Sequence, residues 1–222
     1  MRKIDSLIFD ASGVLIDDIC TVWKANNDAY SFYGYIPFYS MEDFKQKFKL
    51  PISAFYEANG IPRKMFDAVD RCYMERYPRY QHLIRVFPEA RSVLSELKEM
   101  DVKLGVASGI PNKFLLEHLR RFQILTFFDA ITGRDDCDEQ KPSPKPVLAT
   151  LSKLNASPKN AGYVGDMEED MIAGKRAGVY TFAVNRSEAY HPICRLKLQD
   201  PDYIITDLND LIRLCQDETR KD

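Results

Sequence analysis

No two cysteines in this sequence have C-x-x-C spacing, and the five present (Cys20, Cys72, Cys137, Cys194 and Cys215) are scattered and odd in number. That excludes a disulfide framework and fits a reducing compartment. Histidine is scarce too: His82, His118 and His191 show no zinc-ligand spacing, so packing or exposure is expected of each. No apolar run approaches the ~18 residues that would span a membrane. The apolar stretch between Met1-Arg2-Lys3 and Asp10 is too short for a signal peptide and ends without a small-residue cleavage site. A soluble, cytoplasmic protein with no membrane partner is expected. A dominant charge sign is also missing. The formal net charge is -2, with no block of one sign, so a nucleic-acid partner is not expected. The densest basic pair, Lys175-Arg176, reads as the solvated face of a helix. There is no internal repeat and no low-complexity segment.

What is present is ordinary in amount and informative in order. Hydrophobic residues make up 45% and charged residues 29% of 222, enough for one sizeable core or a core plus a satellite. Short apolar runs predict strands at Ser6 to Phe9, Val102 to Ala107, Ala130 to Thr132, Ala161 to Val164 and Val179 to Val184, with an edge strand at Tyr203 to Ile205. Apolar residues three and four apart predict helices over Ala90 to Met100, Ile110 to Phe122, Ser143 to Leu154, Glu168 to Ala177 and Leu208 to Cys215. Alternation of strand and helix indicates an α/β fold with a parallel sheet covered on both faces.

The segment from Ile19 to Val86 breaks that alternation. It contains no convincing strand, and it reads as helices over Ile19 to Tyr33, Met41 to Phe48, Ile52 to Ala58 and Arg63 to Tyr77, punctuated by prolines. The simplest architecture is a core of residues 1–18 and 87–222 interrupted after its first strand by a helical insert, 19–86.

Ligands of open α/β sheets sit beyond the carboxyl ends of the strands. Asp10-Ala11-Ser12-Gly13-Val14 follows the first predicted strand, Ser108-Gly109 the second, and Gly165-Asp166 the fourth, with Asp170 a helical turn later. Lys141-Pro142-Ser143-Pro144 lies between the third and fourth. Each set alone has a bland reading: a strand-ending Asp caps a turn, Asp170 complements a helix dipole, and Lys141 is a solvated lysine. Together they place carboxylates, a hydroxyl and an ammonium at one sheet edge. Facing carboxylates repel unless a cation lies between them, and oxygen-only ligands favour magnesium. A lysine and a hydroxyl suit phosphoryl oxygens, and a free carboxylate can attack phosphorus. Gly13 is expected to let the backbone turn tightly. Ser143 and Pro144 read as N-cap and first residue of a helix. If helix begins promptly, Asp166 and Asp170 face one way.

These residues resemble the haloacid dehalogenase-like hydrolase superfamily, along essentially the whole chain. Asp10-Ala11-Ser12-Gly13-Val14-Leu15-Ile16-Asp17 is similar to its first motif, D-x-D-G-T-L-x-D; Ser108 falls at the second; Lys141-Pro142 resembles the third; Gly165-Asp166-Met167-Glu168-Glu169-Asp170 resembles the fourth. The branch resembled is that of phosphoglycolate phosphatase and beta-phosphoglucomutase. The resemblance implies a Rossmann-like parallel-sheet core with an inserted helical cap domain, and a phosphatase acting on a small phosphorylated metabolite as a monomer or homodimer. It implies Asp10 as nucleophile; Asp10, Asp166, the Ser12 main-chain carbonyl and Asp170 at a Mg2+ site; and Ser108, Gly109 and Lys141 around the phosphate. Lys49, before Leu50-Pro51, is a candidate substrate contact in the insert, whose aromatics between Tyr30 and Tyr39 are expected mostly to pack its core. The departure is Ser12, where phosphatases of the superfamily carry an acid/base Asp. Serine is a poor acid or base near neutral pH. A slow phosphatase, a substrate whose leaving group needs little acid help (as for the phosphonoacetaldehyde hydrolases, with Ala there), an accumulating aspartyl-phosphate (as in P-type ATPases, with Thr) and a non-enzymatic binding module all stay open.

Overall fold

A computed structural model describes residues 4–217. In chain order the elements are β1 (Ser6–Phe9), β2 (Ile16–Asp17), α1 (Ile19–Phe32), α2 (Met41–Lys47), α3 (Ile52–Ala58), α4 (Phe66–Arg76), β3 (Arg85–Val86), α5 (Ala90–Glu99) and β4 (Lys103–Ala107). There follow α6 (Asn112–Arg121), β5 (Ala130–Thr132), α7 (Lys145–Leu154), β6 (Ala161–Gly165), α8 (Glu168–Ala177), β7 (Tyr180–Val184), α9 (Ile193–Lys197), β8 (Tyr203–Ile205) and α10 (Asn209–Asp217). The chain divides into two compact units, Met1–Leu15 with Val86–Asp222, and Ile16–Arg85.

In the first unit six strands form one sheet in the order β5-β4-β1-β6-β7-β8, every pairing parallel. β1 and β6 are buried along their whole length. Parallel strands covered by helices on both faces have no polar side, which explains why they read as apolar runs. On one face Ile8, Ala107, Val147, Leu151, Tyr163 and Ala173 join a cluster formed by the sheet with α7 and α8. α5 contributes Val93, Leu94 and Leu97, and α6 contributes Phe114, Leu115 and Leu119, at the three-and-four spacing that puts them on one stripe. The chain runs from β1 to β4 and β5 on one side, then to β6, β7 and β8 on the other, so the order reverses around β1.

The second unit is helical and has an aromatic core. Phe55 lies within 5.1 to 6.2 Å, centroid to centroid, of Tyr30, Phe38, Phe44, Phe48 and Tyr56. The expectation for the Tyr30 to Tyr39 aromatics holds only in part. Tyr30 and Phe38 are buried, whereas Phe32 is 63% and Tyr39 95% exposed. The unit is too small to enclose every ring its short helices carry.

Other differences are local. β3 ends the segment expected to be strandless, paired with β2 in a two-stranded ladder; two residues cannot display a period. The single helix expected over Arg63 to Tyr77 is a 3-10 turn, Arg63–Met65, then α4, then a second 3-10 stretch, Tyr77–Leu83. The first backbone bond of α7 runs from Leu148 N–H to the Pro144 carbonyl at 2.9 Å, so Pro144, not Ser143, is its cap. Among the described residues no helix is long and apolar enough to cross a membrane. Lys175 and Arg176 are exposed on α8, as expected.

Candidate active site

Asp10, Ser108 and Asp166 each directly follow a strand carboxyl end, those of β1, β4 and β6, which are neighbours at the point where strand order reverses. Strand pairing continues into the site: Asp10 N–H donates to the Val164 carbonyl at 2.9 Å and Ser108 N–H to the Thr132 carbonyl at 3.0 Å. Side chains on a rigid sheet edge are held far more tightly than side chains on free loops, which suits a site whose chemistry is mostly positioning.

Lys141 joins them from the loop before α7. It is 2% exposed, against the ordinary expectation for lysine. Its Nζ stands 3.0 Å from Asp10 Oδ2 and 2.6 Å from Asp170 Oδ1. Burial opposes the lysine charge, but Asp10 and Asp170 outweigh it and hold the ammonium well above its ordinary value. A buried charge of this kind persists only when paired. Burial pushes the Asp10 carboxyl up to about 6, against the pull of Lys141 and helped by the push of Asp170. Asp10 Oδ1 accepts from Ala11 N–H at 2.8 Å.

Asp166 is fully buried. Burial, then repulsion from Asp170 and Asp10, drives its carboxyl well above the usual range. Its Oδ2 accepts from Tyr190 N–H at 2.6 Å, while Oδ1 has no hydrogen-bond partner. A buried carboxylate oxygen without a donor is costly unless something else takes it up. Asp10, Asp166 and Asp170 bring carboxylate oxygens within 4.8 Å of one another, a group able to hold a metal ion. The three differ in what remains available. Asp170 Oδ1 receives Lys141 and Tyr163, and Oδ2 receives Asp166 N–H at 3.2 Å and Met167 N–H at 3.0 Å. Asp166 and Asp170 therefore do not meet through helical spacing. α8 begins at Glu168, and the chain folds back so that Asp170 caps it.

Two glycines make room. Gly13 has φ +70, and a Cβ there would lie 2.0 Å from Asp166 Oδ2. A Cβ on Gly165 would meet the Asp170 Cβ at 2.3 Å. Ser12 is half-buried in the turn closed by Leu15 N–H on the Ala11 carbonyl, 2.9 Å. The Ser108 hydroxyl accepts from Ile110 N–H at 3.3 Å, and Ser108, Gly109 and Lys141 line one recess with Gly133 and Arg134. Lys49 lies in the other unit, half-buried between α2 and α3.

Motif reading missed several groups. Tyr163 places its hydroxyl 3.1 Å from Lys141 Nζ and 2.9 Å from the Ala107 carbonyl. Burial, then Asp170, keeps this phenol well above its usual value and so neutral. In sequence it is one apolar residue in an apolar strand. Tyr190 contributes its backbone N–H to Asp166, which no side-chain pattern reveals. His191 is brought to Glu168 and Glu169 by the fold. Its Nδ1 accepts from Glu168 N–H at 3.2 Å, and Arg195 Nε donates to Glu168 at 3.2 Å, so this second cluster is a packed polar network.

The sequence model of the haloacid dehalogenase-like hydrolases matches residues 7–184. Pyrophosphatase PpaX of Oceanobacillus iheyensis is 32% identical over 218 residues, spanning 97% of this chain and 98% of that protein. A predicted phosphatase from Clostridium acetobutylicum superposes with a TM-score of 0.86 at 19% identity, over 98% of this chain and 100% of the other. A predicted phosphoglycolate phosphatase from Haemophilus somnus does so with a TM-score of 0.83 at 20% identity, over 96% and 99%. At those identities the two structures establish the fold alone. A matched sequence model, a full-length relative and the parallel sheet with its carboxylate cluster agree: this chain belongs to the haloacid dehalogenase-like hydrolase family and is a hydrolase of the phosphatase type.

Proposed function

We propose that the protein is a magnesium-dependent phosphohydrolase of small phosphorylated metabolites that works through an aspartyl-phosphate on Asp10. The observation that carries this reading is Lys141, buried between Asp10 and Asp170 beside the unbonded Asp166 Oδ1. The donor set fits a hard cation, since only oxygens converge there. Asp10, Asp166 and the Ser12 main-chain carbonyl would hold Mg2+, with Asp170 acting through Lys141 because its own oxygens are engaged. When bound, Mg2+ neutralises the carboxylates and polarises the phosphoryl group. Ser108, Gly109 and Lys141 hold the phosphoryl oxygens. An Asp10 oxygen attacks phosphorus as the bond to the leaving oxygen breaks, and that oxygen carries away the bonding pair. Water then attacks phosphorus, the Asp10 oxygen leaves as carboxylate, and phosphate departs with the proton that water releases. Substrate choice is assigned to the inserted helical unit, with Lys49 its candidate anion contact.

Ser12 narrows the leaving group. It cannot protonate a departing alkoxide at neutral pH. A phosphoanhydride such as pyrophosphate, for which the PpaX relatives are named, expels a phosphate that is already acidic. An alkyl ester does not. The test compares pyrophosphate, an aryl phosphate and an alkyl phosphate in native protein and in Ser12→Asp, with Mg2+. Native turnover should be highest on the two acidic leaving groups. Ser12→Asp should raise the alkyl rate, by up to the about 10²–10⁴-fold that a positioned acid contributes. No Mg2+-dependent phosphate release from any of the three would reject the hydrolase reading in favour of a phosphate-binding module.

A further inference from the structure

We propose that Tyr163 is a positioning residue of this site, whose hydroxyl holds the Lys141 ammonium in register with Ser108; the inference rests on the phosphohydrolase reading above. The Lys141 ammonium has three hydrogens, and three acceptors surround it: Asp10 Oδ2 at 3.0 Å, Asp170 Oδ1 at 2.6 Å and the Tyr163 hydroxyl at 3.1 Å. The attraction of two carboxylates for an ammonium is strong but poorly directional, and a four-carbon stem leaves the head group free to follow either. The phenol supplies direction. Its one proton has two acceptors within reach, the Ala107 carbonyl at 2.9 Å and Asp170 Oδ1 at 3.1 Å, and with either the oxygen keeps a lone pair for Lys141. Asp170 Oδ1 also accepts from Lys141, at 2.6 Å.

Ala107 is the last residue of β4 and immediately precedes Ser108. One oxygen therefore ties β4, the Lys141 loop, β6 and α8 together, and sets the spacing between the two side chains assigned to the phosphoryl oxygens. The ring cannot swing away. It is fully buried in the cluster formed by Ile8, Ala107, Val147, Leu151 and Ala173. Phenylalanine would fill that space equally well, so the hydroxyl is the part that core packing does not require. When a phosphoryl group arrives, one Lys141 hydrogen must turn to it. The contact to Asp10 is the one released, because Asp10 becomes the nucleophile, and the Tyr163 and Asp170 contacts stay.

The experiment is Tyr163→Phe, with pyrophosphate and an aryl phosphate as substrates and inorganic phosphate as the binding probe, all in Mg2+. Rates are normalised to folded protein by near-UV circular dichroism. A misplaced catalytic group costs up to about 100-fold, so kcat should fall about 10- to 100-fold and phosphate affinity should weaken in parallel. Unchanged kcat and phosphate affinity per folded molecule, with only a lower melting temperature, would overturn the proposal. A second measurement uses the native protein: nuclear Overhauser contacts between the Lys141 ammonium and the Tyr163 ring should persist on phosphate addition. Their loss would overturn the proposal even if Tyr163→Phe does not fold. A native protein that neither hydrolyses nor binds phosphate would overturn the phosphohydrolase reading, and this inference with it.

Discussion

Lys141 shows how a single residue can carry both fold and chemistry. Breaking a buried ion pair by removing one partner costs about 3–5 kcal/mol, because the other charge is stranded. Asp10→Asn avoids that, since Lys141 keeps Asp170 at 2.6 Å. The variant should melt as a native fold yet lose turnover, because an amide is not the carboxylate nucleophile. A single-turnover rate above a tenth of native, free of deamidation back to Asp, would rule out the covalent route. His118 supplies a stability test away from the site. Burial, first, holds its imidazole down at about 4 from the ordinary 6.5. The unfolded chain therefore takes up this proton before the folded one does, and stability falls as pH drops from about 6.5 toward 4. The full effect is about 3 kcal/mol. Chemical denaturation across that window should show a shallower pH slope for His118→Gln than for native protein.

At the scale of elements, the turn after β1 decides whether a site exists at all. Gly13 sits at φ +70 with Asp166 pressed against its α-carbon. Gly13→Ala should displace the Asp166 carboxylate and lower kcat/KM by about 100-fold or more, as misplacement of a metal-binding group does. A steady-state assay at several Mg2+ concentrations checks this; native activity at every concentration would mean that the turn can relax. Elements were legible in the sequence in proportion to their regularity. β1, β5, α3 and α8 have the boundaries that the apolar pattern predicts. α9, with five residues, and the two-residue β2 and β3 were not predicted, because they are too short to show a period. The Asp166 to Asp170 spacing predicted proximity correctly for the wrong reason, since the contact is a cap at the start of α8 and not a shared helical face.

In the molecule as a whole, three buried carboxylates meet one buried ammonium. Burial and mutual repulsion disfavour the charges on Asp10 and Asp166. A divalent cation that binds the folded chain should therefore stabilise it by mass action, about 2.7 kcal/mol at 100 times its dissociation constant. Mg2+ should raise the melting temperature of metal-stripped protein, and Asp166→Asn should abolish the rise. Turnover should vanish in excess chelator and return with Mg2+. Full activity after complete metal removal would refute the metal requirement.

The sequence by itself determined the alternation of strand and helix and the order of Asp10, Ser108, Lys141 and Asp166 along the chain. These are properties of local periodicity and of residues at strand ends, and both are written linearly. The tertiary structure decided which groups share an atom. Lys141 reads in sequence as a lysine suited to phosphoryl oxygens, and it is the fold that seals it between Asp10 and Asp170. Tyr163 is one more apolar position until β6 lies across β1 from β4 and its hydroxyl reaches the Ala107 carbonyl. The Tyr190 backbone N–H on Asp166 leaves no trace in residue type. Hydrogen bonds between segments far apart in the chain depend on distances that parallel pairing sets, and no pattern of neighbours along the sequence encodes them.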